Sequence, residues 1–211
     1  MSHHASHRND HHEFGTGTAP NVYWDRQLNM QAAKILPGEY FITGRDLVLV
    51  TVLGSCVAAC IRDPGARIGG MNHFMLPDAG REGDNLLGAP ARYGTYAMEV
   101  LINEIVKMGA RRNSLEAKVF GGGNVLRNLT VTNVGSRNAE FVLKFLATER
   151  IPVLAQDLAH DYARKVYYYP DSGRVRLKMI RDMHNQTILQ REREYVRRIE
   201  VQPVGGDVEL F

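Results

Sequence analysis

The chain has 211 residues and a mass of 23.7 kDa, with 44% hydrophobic and 23% charged residues. This is an ordinary soluble globular composition, long enough for one well-filled core. Two cysteines exclude a disulfide-rich scaffold and a four-cysteine zinc site, a net charge of +3 does not by itself indicate nucleic acid, and no apolar run reaches the length of a membrane span.

Residues 1–20 hold five of the eight histidines (His3, His4, His7, His11 and His12) and no periodic apolar pattern. They read as a disordered tail, whose clustered histidines bind transition metals loosely at most. The start of the chain has no apolar h-region and so does not read as a secretory signal; with free thiols, it points to the cytoplasm. Residues 21–36 read as a short arm against the body, so that 1–36 form a tail and arm ahead of a domain spanning 37–180. Pro37-Gly38-Glu39-Tyr40-Phe41 reads as a turn feeding a strand.

Residues 46–62 (DLVLVTVLGSCVAACIR) are rich in Val, Leu, Ile and Thr and predict a strand buried on both faces. Gly54-Ser55 interrupts it as a bulge or tight turn just before Cys56. Asp63-Pro64-Gly65 is a turn, and Ile68 to Leu76 predicts the returning strand of a hairpin. A Gly-rich polar loop follows over 80–90. Apolar groups at helical spacing predict a helix over 91–108, with Gly109 as C-cap. Residues 115–120 alternate as a strand, and Gly121-Gly122-Gly123-Asn124 follows as a turn or pocket wall. A second helix is predicted over 138–148, a short strand over 151–156, and a hairpin over 163–180 around Asp171-Ser172-Gly173. The Arg- and Glu-rich stretch 184–200, in an extension covering 181–211, predicts a helix with a mostly solvated face.

The sharpest chemical feature is Gly54-Ser55-Cys56 on one strand and Asn72-His73 on the next. Both Cys56 and His73 lie eight or nine positions from the hairpin turn, which predicts that they stand across from each other. A thiol beside an imidazole is the minimal nucleophilic pair, and a Gly before the Cys frees backbone N–H groups for an oxyanion. The residues alone leave a second reading open, in which Cys56 is a buried strand cysteine and His73 a satisfied core histidine. Cys60, on the same apolar strand without Gly-Ser before it, reads as core. Cys56, Cys60 and His73 lack the ligand spacing of a zinc site.

At these residues the sequence resembles the CheD family, the chemoreceptor glutamine deamidases of bacterial chemotaxis. The resemblance is carried by Thr51-Val52-Leu53-Gly54-Ser55-Cys56-Val57-Ala58-Ala59-Cys60 and Gly69-Gly70-Met71-Asn72-His73-Phe74-Met75-Leu76-Pro77. Further carriers are Glu116 to Gly123 (EAKVFGGG) and Val134-Gly135-Ser136-Arg137-Asn138. It covers about residues 37–180. It implies an α/β fold: a mixed β-sheet sandwich with flanking helices, similar to that of a bacterial toxin deamidase. The implied activity converts selected glutamine side chains of methyl-accepting chemotaxis receptors to glutamate, releasing ammonia and using no metal or organic cofactor. The family's nucleophile falls on Cys56 and its histidine on His73. Thr51, five positions before the cysteine, is the available match for its third catalytic residue. Gly54, Ser55 and Asn72 are the expected substrate-binding positions. Implied partners are the cytoplasmic domains of those receptors and a CheC-type phosphatase, with neither nucleic acid nor membrane insertion. Two other readings are an adaptor that docks on such a phosphatase or on receptors, and a Cys–His amidase or peptidase. The resemblance is silent on the His-rich tail and on the residues after about 181.

Overall fold

The β-branched and apolar runs form strands that stack in two sheets, and the two amphipathic stretches form helices that cover only one of them. The computed structural model describes residues 15–19, 21–77, 89–124, 134–180, 190–192, 194, 195 and 197. The described strands are β1 (Thr16–Gly17), β2 (Asn21–Asp25), β3 (Met30–Lys34), β4 (Tyr40–Thr43), β5 (Val48–Leu53), β6 (Val57–Asp63), β7 (Ile68–Asn72), β8 (Glu116–Gly121), β9 (Val153–Leu158), β10 (Ala163–Tyr169) and β11 (Arg174–Ile180). The helices are α1 (Ala89–Lys107) and α2 (Val134–Thr148). Gly109, at φ +111°, ends the α1 region as the C-cap its position predicts.

One sheet has six strands in the order β1-β4-β7-β6-β8-β9, and the other five in the order β11-β10-β5-β3-β2. Each mixes parallel with antiparallel pairs, such as β8 with β9 and β3 with β5 among the parallel ones. One core lies under α1 and α2 and joins Val57, Ala59, Ile61 and Phe74 to Met98, Leu101 and Val142. A second core lies between the sheets and joins Cys56, Ala58, Cys60, Met71 and Met75 to Leu49, Leu53, Val166 and Tyr168. The chain is therefore the mixed α/β sandwich with flanking helices that its sequence implies.

Three expectations are corrected. Residues 46–62 are two strands in different sheets, β5 and β6, and Gly54-Ser55 is the corner where the chain crosses between them. A continuous apolar run cannot distinguish one buried strand from two, because burial is the same on either side of the corner. Residues 21–36, read as a short arm against the body ahead of a domain beginning at 37, belong to the sheet itself: β2 and β3 pair with each other, and β3 pairs with β5 inside the five-stranded sheet. The described residues of 190–197 are helical but not simply a solvated face, since Glu192 and Tyr195 are each only 3% exposed. The tail over 1–14 and most of the loop over 80–90 lie outside the described residues.

Candidate active site

The corner at Gly54-Ser55-Cys56 is held by its carbonyl groups. The Gly54 carbonyl accepts from the Gly123 N–H at 2.7 Å and the Cys56 carbonyl from the Gly122 N–H at 2.8 Å. The Ser55 carbonyl accepts from Asn138 Nδ2 at 2.8 Å, while Asn138 Oδ1 takes the Leu76 N–H at 2.9 Å. The glycine run 121–123 is thus a brace rather than a phosphate loop. A Cβ at Gly121 would meet the Cys56 carbonyl oxygen at 2.1 Å, and φ there is +113°, so only glycine fits. With the carbonyls engaged, the N–H groups of Gly54, Ser55 and Cys56 converge on one point. Such a nest of backbone donors binds an anion or a developing oxyanion. Gly54 and Ser55, expected from the sequence to bind substrate, both belong to it.

What fills that nest is Glu192. Its Oε1 accepts from the Gly54, Ser55 and Cys56 N–H groups at 3.1, 2.9 and 3.3 Å, and its Oε2 from the Ser55 hydroxyl at 2.8 Å.

Thr51 lies on β5 with Leu49 and Leu53, on the face turned to the six-stranded sheet. The sheet crossover therefore brings Thr51 and Cys56 to the same inter-sheet space, although simple alternation along one strand would separate them. Thr51 Oγ1 donates to the Ile35 carbonyl at 2.7 Å and stands 2.8 Å from His73 Nδ1. A hydroxyl has one proton. Since that proton goes to a carbonyl, which cannot donate, Nδ1 must carry the proton it shares with Thr51. The lone pair of His73 is then on Nε2. This nitrogen is buried and has no hydrogen-bond partner among the described residues. Burial lowers the His73 pKa from 6.5 to about 4, with the Ile35 carbonyl pulling slightly the other way. The imidazole is neutral at physiological pH, with an unprotonated Nε2.

The pairing of β6 with β7 places the thiol. Cys60 pairs with Met71, and Val57 forms a bridge with Phe74. That register sets His73 opposite Ala58, and Cys56 opposite Met75. Cys56 and His73 are therefore diagonal neighbours on the inter-sheet face, not directly across from each other as equal distance from the turn suggests. Ladders place such diagonal Cα atoms about 7–8 Å apart, within reach of a ring. Cys56 is fully buried. Burial pushes its thiol well up, and the charge of Glu192 and a hydrogen bond to it push further. Cys60 is also buried and its thiol is also pushed up by burial, with Lys118 opposing. It faces the same core farther along β6 and pairs opposite Met71, as its reading as core implies.

Asn72 departs from expectation. Its side chain is on the helix side of the sheet, where Oδ1 accepts from the Ala59 N–H at 3.0 Å and Nδ2 donates to the Ala97 carbonyl at 3.0 Å. It takes the Ala59 N–H in the β6–β7 ladder with its side chain, while the backbone of His73 faces β4 and bonds to Gly38 and Glu39. That is a structural post on the face opposite the nest, so Asn72 does not join the substrate-binding positions.

Two residues of the site are not singled out by sequence reasoning. Asn138 lies in a run that resembles the family, but its grip on Ser55 needs the fold. Glu192 sits among many Arg and Glu residues and reads there as one more solvated charge. A cavity of about 410 Å³ reaches His73 but not Cys56, and is lined by Thr51, His73 and Glu192 and by the cations Lys34, Lys165 and Arg191. Among the described residues no group of three or more His, Cys, Asp or Glu side chains could hold a metal ion.

Residues 75–179 match the family model described as CheD chemotactic sensory transduction. Over 200 residues the chain is 59% identical to a probable chemoreceptor glutamine deamidase CheD 1 of Dechloromonas aromatica, covering 95% of this chain and 98% of that one. It is 59% identical over 192 residues to a protein of the same name from Shewanella oneidensis, covering 91% of this chain and 93% of that one. The likeness thus runs well beyond 37–180 and takes in Thr51, Cys56 and His73, which precede the family-model match. A crystal structure of the Bacillus licheniformis hypothetical protein YfiH gives a TM-score of 0.35 at 15% identity, over 56% of this chain and 49% of that one.

Proposed function

The chain belongs to the CheD family, and from that premise we propose that it hydrolyses glutamine side chains of methyl-accepting chemotaxis receptors to glutamate, with Cys56 as nucleophile and His73 as general base. The observation that carries the mechanism is the buried, unpartnered Nε2 of a neutral His73, whose other nitrogen is occupied by Thr51, on the face shared with the Cys56 thiol.

The steps follow from these groups. His73 Nε2 takes the thiol proton as Cys56 Sγ attacks the carboxamide carbon. The carbonyl oxygen gains negative charge among the Gly54, Ser55 and Cys56 N–H groups. The intermediate collapses, the C–N bond breaks, and the proton on His73 leaves with ammonia. Water then gives a proton to His73 and attacks the thioester, which releases glutamate and returns the thiol. Thr51 keeps Nε2 facing the sulfur through the wrong-tautomer logic that also governs Ser–His–Asp triads.

None of the described helices is long and apolar enough to cross a membrane, and we place the reaction in the cytoplasm, on the cytoplasmic domains of the receptors. The test is mass spectrometry of purified receptor fragments incubated with the protein. Glutamine-to-glutamate conversion at an unbroken backbone supports the assignment. Backbone cleavage points to a peptidase instead. No change, with full chemotactic behaviour retained by Cys56→Ala, points to an adaptor for a CheC-type phosphatase or for receptors.

A further inference from the structure

The nest beside Cys56 is the place where the proposed reaction needs a substrate carbonyl, and a side chain of the same protein is already there. Glu192 makes four hydrogen bonds, three from backbone N–H groups and one from the Ser55 hydroxyl. Tyr195, three residues on and therefore on the same helical face, is also buried. Its ring lies where a side chain at Gly38 would be, and its hydroxyl meets that of Tyr93. Gln190, Arg191, Glu194 and Arg197 are exposed. The segment therefore docks through Glu192 and Tyr195, and its other described side chains are exposed, with Arg191 at the wall of the cavity.

Hydrolysis of a glutamine side chain yields a glutamate side chain, and Glu192 is one, with an oxygen in the nest and its carboxylate against the thiol. Resting on the deamidase reading above, we propose that the C-terminal helical segment is an internal product mimic: Glu192 occupies the side-chain subsite of the Cys56 centre, and the segment must leave before a receptor glutamine is bound. The closed state has two consequences. The subsite is filled, so apparent substrate affinity falls with the fraction of molecules that are open. Burial first, and then the same carboxylate, oppose ionisation of Cys56, and lifting the segment removes the second of these.

Glu192→Gln tests the geometry with an isosteric change. The variant places a carboxamide where the carboxylate now lies. Cys56 Sγ then bonds to the carboxamide carbon at position 192, the thiol proton passes through His73 to the nitrogen, and ammonia leaves as the C–N bond breaks. Water cleaves the thioester and leaves a glutamate side chain at that position. Tryptic mass spectrometry of the full chain should find the amide-to-acid mass change at this residue, and the change should disappear when Cys56→Ala is added. A carboxamide that persists at position 192, in a protein that converts receptor glutamines, overturns the proposal.

A second arm does not depend on deamidation. In full-length Glu192→Ala, alkylation of Cys56 by iodoacetamide should rise about tenfold or more over wild type, with Cys60 remaining slow as the measure of an intact core. Equal Cys56 rates in variant and wild type overturn the proposal. If both cysteines speed up together, the variant has loosened the fold, and the Glu192→Gln result decides. If no variant converts any glutamine, the deamidase reading falls, and the selective rise at Cys56 alone upholds the internal plug.

Discussion

Replacing Thr51 with valine removes one oxygen and keeps the side-chain shape. Two buried groups then lose their partner: the Nδ1–H of His73, now 2.8 Å from Oγ1, and the Ile35 carbonyl, now accepting at 2.7 Å. A buried polar group left unpaired costs about 1–3 kcal/mol. The two orphans can partly satisfy each other, because the Ile35 carbonyl already acts on the imidazole, so a net loss of about 2 kcal/mol is expected. For a chain of this size that lowers Tm by roughly 4–8 °C. The effect on chemistry is separate. Without Oγ1 only the contact with the Ile35 carbonyl still favours the proton on Nδ1, so the Nε2-protonated tautomer, which cannot accept from the thiol, gains population. If the lost orientation is worth about 1.4–2.7 kcal/mol in the transition state, kcat falls about ten- to a hundredfold with little change in KM. Thr51→Ser retains the oxygen and should stay close to wild type. Thermal melts and mass-spectrometric initial rates on a saturating receptor fragment measure both quantities. A Thr51→Val protein with undiminished kcat would refute the tautomer argument, whatever its Tm.

His73 also sets a pH dependence of stability. Its folded pKa is about 4 against 6.5 for the free side chain, so between those values the unfolded chain binds a proton that the folded one does not. Stability is therefore fully present above pH 6.5 and is lost as pH falls toward 4, by about 3 kcal/mol for this group. Denaturant melts of wild type and His73→Gln should diverge in slope over that window, and parallel curves would contradict a buried neutral imidazole. Asn72→Leu should lower Tm by roughly 4–8 °C, because the Ala59 N–H loses its acceptor, while KM for a receptor fragment is unchanged; a raised KM would return Asn72 to the substrate.

Cys56 and His73 are legible in the sequence because so few cysteines and histidines remain once the tail is set aside, and because a hairpin turn between two apolar runs brings its strands together. Their register is not legible, since a ladder interrupted at Ala59 and repaired by a side chain leaves no local signal. Thr51 is harder. Its parity along one strand argues against it, and only the passage from one sheet to the other at Gly54-Ser55 turns it toward Cys56. Asn72 sits beside His73 in sequence, yet neighbouring residues of a strand face opposite ways, and this one faces the helices. Gly54 and Ser55 read from the sequence as donors near the thiol, but the grip of Gly122, Gly123 and Asn138 that aims them comes from elements remote in the chain. Glu192 is hidden for a different reason: composition marks an Arg- and Glu-rich helix as solvated, and nothing local distinguishes the one carboxylate that is buried.

Which thiol does the chemistry is the most direct question to put to the protein. Wild type, Cys56→Ala and Cys60→Ala are compared on one receptor fragment by mass-spectrometric counting of glutamine-to-glutamate conversion, with melting curves as the check on folding. Conversion by wild type and Cys60→Ala is predicted, with only background conversion by a folded Cys56→Ala. Conversion by Cys56→Ala at the wild-type rate would contradict a Cys56 nucleophile.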